Sequence, residues 1–161
     1  MPAPVASDRR LIEGDLVLVD LYPNVAGFVA DLSRTWTVGR STRVARVLHD
    51  AASAALRAAE GNLGPGVATA DIDRAVRSTL RAHGDFDTTM GHHSGHGIGI
   101  RAWDEPWIGP GSSGVLEVGD VVAIEPGAYS PGIGGVRLEG DYLITATGFD
   151  RLDHYSEQLT L

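Results

Sequence analysis

The chain has no cysteine, which excludes a disulfide framework and thiol catalysis and suits a reducing, cytoplasmic setting. It has no apolar run approaching the length of a membrane span, and its opening MPAPVASDRR lacks the apolar stretch of a secretory leader. Positive charge is in short supply. Lys and Arg total 13 against 21 Asp and Glu, and the net charge of −8 disfavours nucleic acid as a partner. No internal repeat is visible. The glycines of GHGIGI are not part of a GxxxxGK or GxGxxG segment leading from a strand into a helix, so a phosphate loop is a weak reading. At 161 residues and 17.0 kDa the chain reads as one domain, residues 1–161, large enough for a core, with residues 1–10 expected to be a flexible tail.

What is present is a set of five residues in or beside apolar, β-rich stretches. Asp20 ends LVLVD, Asp31 follows GFVA, His96 sits in SGHGIGI, Glu125 closes VVAIE and Glu139 lies in GGVRLEGDYLIT. Four carboxylates and one imidazole, gathered by strands, make a site for two divalent cations, because four negative charges balance two M²⁺ ions. Without cations the same cluster would be a costly group of like charges in a low dielectric. Oxygen ligands with one imidazole suit Mn, Co, Fe or Zn, whereas the thiolates of a structural zinc site are missing.

The order and context of these residues resemble the pita-bread metalloenzymes: methionine aminopeptidase, Xaa-Pro aminopeptidase, prolidase and creatinase. The peptidases of that family carry an Asp, a second Asp eleven residues later in D-x-[ST]-R-T, then HxxGHGIG, IEPG and R-x-E. Here the matching residues are Asp20, Asp31 in DLSRTW, His92 to Gly99 in HHSGHGIG, Glu125 in IEPGAY and Glu139 in GVRLEGD. The match runs from about Leu11 to Leu161. The resemblance implies an α+β, truncated pita-bread fold, with a curved, mostly antiparallel sheet and helices on its outer face. It also implies that Asp20 chelates one metal, that His96 and Glu125 hold the other, and that Asp31 and Glu139 bridge the two. Glu125 is the candidate for the proton shuttle as well as a ligand. His92 corresponds to the histidine that lies beside the substrate in proline-specific members, and Arg137 to the arginine two residues before the last metal glutamate. The alternative for His92 and His93 is a solvated pair on a glycine-rich strand.

Two departures from the pattern bear on function. The peptidases usually carry a second histidine seven residues after the metal histidine, and that position here is Trp103 in RAWDEPW. An indole N–H donates a hydrogen bond but cannot shuttle a proton at neutral pH. Trp103 therefore reads either as a donor at the substrate or as a packing residue that closes the pocket with Trp107. The chain is also shorter than the usual catalytic region, and the segment that normally precedes Asp20 is missing. Its absence would leave one sheet face uncovered.

The expected elements follow from pattern and caps. Leu16–Asp20 and Gly27–Asp31 read as a hairpin across YPNVAG, and Ser33–Val38 continues extended. A helix capped by Ser41 or Thr42 runs to about Glu60, with Val44, Val47, Leu48, Ala51, Ala55 and Leu56 on its apolar face, and Gly61 stops it. Thr69 is the expected cap of a second helix with the stripe Ile72, Val76 and Leu80, ended by Gly84. Strands are expected at Ser94–Ile100, Val121–Ile124 and, as one long element, Gly135–Thr145. GPGSSG is expected as a loop at the site mouth.

The reading that results is a two-metal hydrolase resembling Xaa-Pro aminopeptidases, cleaving an amide bond in a small peptide or peptide-like substrate. The alternative is a family member that acts on a non-peptide molecule or keeps metal only for binding, since the same architecture hosts other chemistry in creatinase and in a dimethylsulfoniopropionate lyase. Assembly is expected as a homodimer, or with a complementary N-terminal polypeptide covering the first hairpin.

Overall fold

Asp20 lies near the end of β1 (Leu16–Leu21), and the chain then makes a miniature hairpin, β2 (Asn24–Val25) and β3 (Phe28–Val29), before β4 (Leu32–Thr37) returns antiparallel to β1. The computed structural model describes residues 7–160, so the first six residues of the expected 1–10 tail lie outside the described residues. Within the rest of that tail, Arg9 forks onto Asp15 at 2.7 and 2.8 Å. The partner of β1 is β4, not the expected Gly27–Asp31. Ala26 and Gly27 both take positive φ, 53° and 92°, and Asn24 Oδ1 accepts from the Gly27 N–H at 3.1 Å. Two consecutive left-handed residues make a tight two-residue turn. The turn chemistry read from YPNVAG is thus spent on a small inner ribbon, and the long pairing forms beyond it.

Helix α1 (Arg43–Glu60) has Thr42 as its cap, with the side chain accepting from Ala45 N–H at 3.0 Å, and Gly61 follows its end as expected. Its buried face is Ala45, Leu48, Ala51, Ala52, Ala55, Leu56 and Ala59. Val44 and Val47, expected on that face, are 39% and 42% exposed. A mostly alanine stripe lets α2 (Thr69–Gly84) lie close against α1. The cap position of α2 is Ala68, not Thr69. Thr69 is the first helical residue and turns its hydroxyl to Ser112 Oγ at 3.0 Å and the Gly114 carbonyl at 3.2 Å, tying the helix start to the GPGSSG loop. Ile72, Val76 and Leu80 are fully buried, and Asp85 ends the helix in the left-handed conformation.

The rest is β5 (Gly95–Gly97), β6 (Asp104–Ile108), β7 (Val121–Ile124), β8 (Gly127–Ser130), β9 (Gly134–Arg137), β10 (Gly140–Thr145) and β11 (Gly148–Arg151). Five strands form one antiparallel sheet in the order β11-β10-β7-β5-β6, and β8 pairs separately with β9. The expected Ser94–Ile100 strand shortens to Gly95–Gly97, with Ser94 and Ile98 bonding to the neighbouring strands at its ends. The expected long strand Gly135–Thr145 breaks at Leu138–Glu139, because β9 belongs to one ribbon and β10 to the main sheet. That break sets Glu139 at the seam between them.

The glycines flanking His96 are steric requirements. A Cβ on Gly95 would stand 2.3 Å from the Ala123 carbonyl oxygen, and one on Gly97 would stand 2.1 Å from that of Glu105. Strands β6 and β7 thus close on β5 from both sides and leave its single large side chain, His96, fully buried. Leu48, Leu56, Ile72, Leu80, Ile124 and Ile144 form the core between helices and sheet. Burying each is worth about 1.5–3 kcal/mol relative to leaving it in water. Among the described residues, no helix is long and apolar enough to cross a membrane.

Candidate metal centre

The segments DLSRTW and GVRLEGD clasp each other, residue against residue. Ser33 Oγ donates to Glu139 Oε2 at 2.5 Å and accepts from Arg137 Nε at 2.9 Å. Arg34, buried, donates to the backbone carbonyl of Glu139 and to Asp153 Oδ1 at 2.6 Å. Thr35 Oγ1 donates to the Arg137 carbonyl and accepts from the Arg137 N–H, both at 3.1 Å. Asp31 is held through its N–H, which donates to Asp141 Oδ2 at 3.0 Å. The S-R-T of the motif therefore fixes Glu139 and Arg137, while Asp141 holds the Asp31 backbone.

The second half of the site comes from α2 and the main sheet. Arg77 donates to the His92 carbonyl at 2.7 Å and to Asp73, which also accepts from Ser94 Oγ at 2.6 Å. The Glu125 N–H donates to the Ser94 carbonyl at 2.9 Å. The loop carrying His92 and His93 and the end of β7 carrying Glu125 are thus anchored to one another and to the helix.

Two sets of donor atoms converge, Asp31 with His96 and Glu139, and His93 with His96 and Glu125; the atoms of each set all lie within 4.8 Å of one another. His96 belongs to both. Its Nδ1 is 2.9 Å from the Gly97 carbonyl, which can only accept, so Nδ1 carries the proton and Nε2 presents a lone pair in the neutral ring. That Nε2 is 3.5 Å from Asp31 Oδ2 and 3.8 Å from Glu125 Oε1. Asp20 Oδ1, both Asp31 oxygens, His93 Nε2 and His96 Nε2 are buried without a hydrogen-bond partner. Acceptors facing acceptors in a buried space call for a proton or a cation between them. The donor set, carboxylate oxygens with imidazole nitrogen, fits a divalent ion.

The electrostatics agree. Burial pushes Glu125 up to about 7 and holds Glu139 and Asp31 above the ordinary carboxylate range, with neighbouring carboxylates adding to the effect. Burial opposes charge on His96, but the facing Asp31, the Gly97 carbonyl and Glu125 outweigh it and raise its pKa. Burial lowers His92 and His93 to about 4.

Of the residues singled out from sequence, Asp31, His96, Glu125 and Glu139 meet in the two converging sets. Asp20 stands outside both: Arg137 grips its Oδ2, and Arg137 Nη1 also lies 3.6 Å from Glu125 Oε2. His92 is inside the site, yet both ring nitrogens are engaged. Nδ1 donates to the His93 carbonyl and Nε2 accepts from Tyr129 OH, each at 2.8 Å. Trp103 is 58% exposed at the mouth, edge-on to Tyr22 and His96, while Trp107 lies 5.0 Å from the His93 ring.

Sequence reasoning missed Ser33, Tyr129, Asp141 and the inward position of His93. Tyr129 carried a signal in the glycines around it. A Cβ on Gly127 would stand 2.3 Å from its hydroxyl, and one on Gly135 would stand 2.2 Å from its ring.

The family model described as metallopeptidase family M24 matches residues 1–146. An uncharacterized peptidase of Bacillus subtilis (strain 168), YqhT, is 33% identical over 161 residues, 100% of this chain and 45% of the relative. The Xaa-Pro dipeptidase of Pyrococcus furiosus is 35% identical over 159 residues, 99% of this chain and 45% of the relative. Among solved structures, the prolidase from Pyrococcus horikoshii OT3 superposes with a TM-score of 0.93 at 33% identity, over 99% of this chain and 46% of that one. The Xaa-Pro dipeptidase from Bacillus anthracis gives 0.94 at 31% identity, over 100% and 45%. The chain thus spans under half the length of these relatives. Within that span its architecture is the expected α+β pita-bread fold. The motif order, the clasp between its segments and the match through residue 146 agree, and the chain belongs to metallopeptidase family M24.

Proposed function

We propose that this chain carries the metal centre of a Xaa-Pro-type peptidase, a hydrolase of amide bonds in small peptides that uses two divalent ions, Mn, Co, Fe or Zn. The observation that carries the reading is the buried group of unpartnered acceptors on Asp31 and His96, ringed by Glu125 and Glu139. Asp20, Asp31, His96, Glu125 and Glu139 would hold the ions, with the free Oδ1 of Asp20 as its available donor. Bound there, divalent ions supply Lewis acidity toward a scissile carbonyl and lower the pKa of nearby water.

The chain's own residues do the rest. Glu125, buried beside the site where a water would be held, could take a proton from the attacking water and return it to the leaving amine. Arg137 fixes Asp20 and faces Glu125, holding two carboxylates in place. Tyr129 orients the His92 ring. Trp103 and Trp107 wall the mouth and give an apolar surface for the substrate's flanking side chain. Hydrolysis of Xaa-Pro dipeptides by the Mn²⁺- or Co²⁺-loaded chain, read as released proline, tests the proposal. Trp103 at the position of the usual histidine favours a second reading, a metal-holding chain without peptidase turnover. Metal uptake with no cleavage across a broad peptide panel would select it.

A further inference from the structure

We propose that His93 is itself a ligand of the ion held by His96 and Glu125, so that the centre carries two imidazoles where the motif pattern implies one. The inference rests on the metal-centre reading above. His93 Nε2 lies 3.3 Å from Glu125 Oε1, which lies 3.8 Å from His96 Nε2. All three atoms fall within 4.8 Å of one another, and His93 Nε2 is buried with no hydrogen-bond partner. An imidazole nitrogen that close to a carboxylate oxygen, yet making no hydrogen bond to it, is placed for a third participant common to both.

The ring is fixed in that position. Trp107 packs 5.0 Å from it and the His96 ring 5.2 Å. Behind it, a Cβ on Gly109 would come within 3.1 Å of the His93 Cβ, so the absence of a side chain there leaves His93 its space. The loop itself is tied down by Arg77 on the His92 carbonyl and by Ser94 on Asp73. His92 offers no competing nitrogen, because both of its own are engaged.

The consequence is selectivity. Adding a nitrogen donor to an oxygen-rich set favours borderline ions such as Zn²⁺ over the harder Mn²⁺. Calorimetric titration of the metal-stripped full chain with Zn²⁺ and with Mn²⁺ reads this directly, for wild type, His93→Ala and His93→Gln. Loss of His93 is expected to lower Zn²⁺ affinity by at least the ~10-fold that is typical when only a ligand's supporting partner is removed, and Mn²⁺ affinity by less. X-ray absorption of the Zn²⁺-loaded wild type, averaged over the ions bound, is expected to count two imidazoles per chain. That measurement needs no variant, so a misfolded substitution cannot shelter the proposal. A count of one imidazole per chain, with Zn²⁺ affinity unchanged by His93→Ala, overturns the role of His93 and leaves the metal centre standing. A wild-type chain that takes up neither ion overturns both.

Discussion

Ser33 and Glu139 hold each other twice: the serine hydroxyl donates to Glu139 Oε2 at 2.5 Å, and the Glu139 N–H donates to the Ser33 carbonyl at 3.1 Å. The serine also accepts from Arg137 Nε, so one hydroxyl sets the positions of two site side chains. Ser33→Ala leaves a buried carboxylate oxygen and a guanidinium N–H without that partner. The expected cost is about 1–3 kcal/mol. It should appear as a lower denaturation midpoint at unchanged m-value, and as a smaller rise in Tm on adding metal. An unchanged midpoint would show that the clasp does not depend on this hydroxyl.

Glu139→Gln separates the cost of the empty cluster from the gain on filling it. Glu139 sits among Glu125 and Asp31, whose charges oppose its own. The neutral amide keeps an oxygen for Ser33 while removing one of those charges. The metal-stripped variant should therefore melt above metal-stripped wild type near pH 8. It should show no rise in Tm with Mn²⁺ or Co²⁺, because an ion stabilises only by binding the native state. Scanning fluorimetry with and without chelator checks both, and a full metal response would remove Glu139 from the ligand set.

The centre was legible where a residue type, a motif and a strand end coincide, as at Asp31, His96, Glu125 and Glu139. It was less legible where the position depends on a neighbouring side chain. Asp20 follows the pattern, yet its orientation is decided by Arg137, from a segment 117 residues away. His92 and His93 are adjacent and both rings approach Glu125, and the loop geometry set by Arg77 and Ser94 decides which ring nitrogen is left without a hydrogen-bond partner. In the fold, the helix spans and the strand Val121–Ile124 followed from periodicity and caps. The pairing of β1 did not, because Ala26 has to adopt a positive φ that its side chain does not advertise. Nor did the split of Gly135–Thr145, which arises because two ribbons compete for one extended segment.

The ribbon of β1 and β4 stands apart from the main sheet, and a two-stranded ribbon is marginal by itself. Leu16, Leu18 and Asp20 share one face with Thr35 and Ser33, toward the clasp, while Val17 faces Trp36 on the other. That second face lines a cavity of about 370 Å³ with Thr37, Val38 and Gly39. The expected outcome is a two-fold homodimer burying more than ~1,000 Å² across this ribbon, and Val17→Asp should dissociate it. Light scattering at micromolar concentration decides. A stable, monodisperse wild-type monomer would sink the proposal, and aggregation would point instead to a complementary N-terminal polypeptide.

Trp103→His tests what the mouth lacks. Losing a donor from an electrostatic site typically costs on the order of 10²–10³ in rate. If an imidazole is wanted at this position, the substitution should raise kcat on Xaa-Pro dipeptides at least several-fold, with a smaller change in KM. A kcat that does not move would show that position 103 is only a wall of the mouth.

Stripped of metal, the centre is expected to show an unusual pH dependence. Glu125 and Asp141 are raised by burial to about 7 from ordinary values of 4.5 and 3.8, and Asp31, Glu139 and His96 shift upward as well. Each of these groups holds its proton longer folded than unfolded, so its contribution is present at low pH and lost as pH rises through its folded value. His92 and His93, lowered to about 4, act oppositely between 4 and 6.5. The four carboxylates outnumber the two imidazoles across that window, and above 6.5 His96 adds to them while His92 and His93 no longer oppose. The metal-stripped protein should therefore melt higher near pH 5 than near pH 8. Metal reverses the order, since its ligands must lose their protons to bind. Melting curves at both pH values, in chelator and in Mn²⁺, test this, and a chelated protein that gains stability from pH 5 to pH 8 would contradict a buried, cation-free carboxylate cluster.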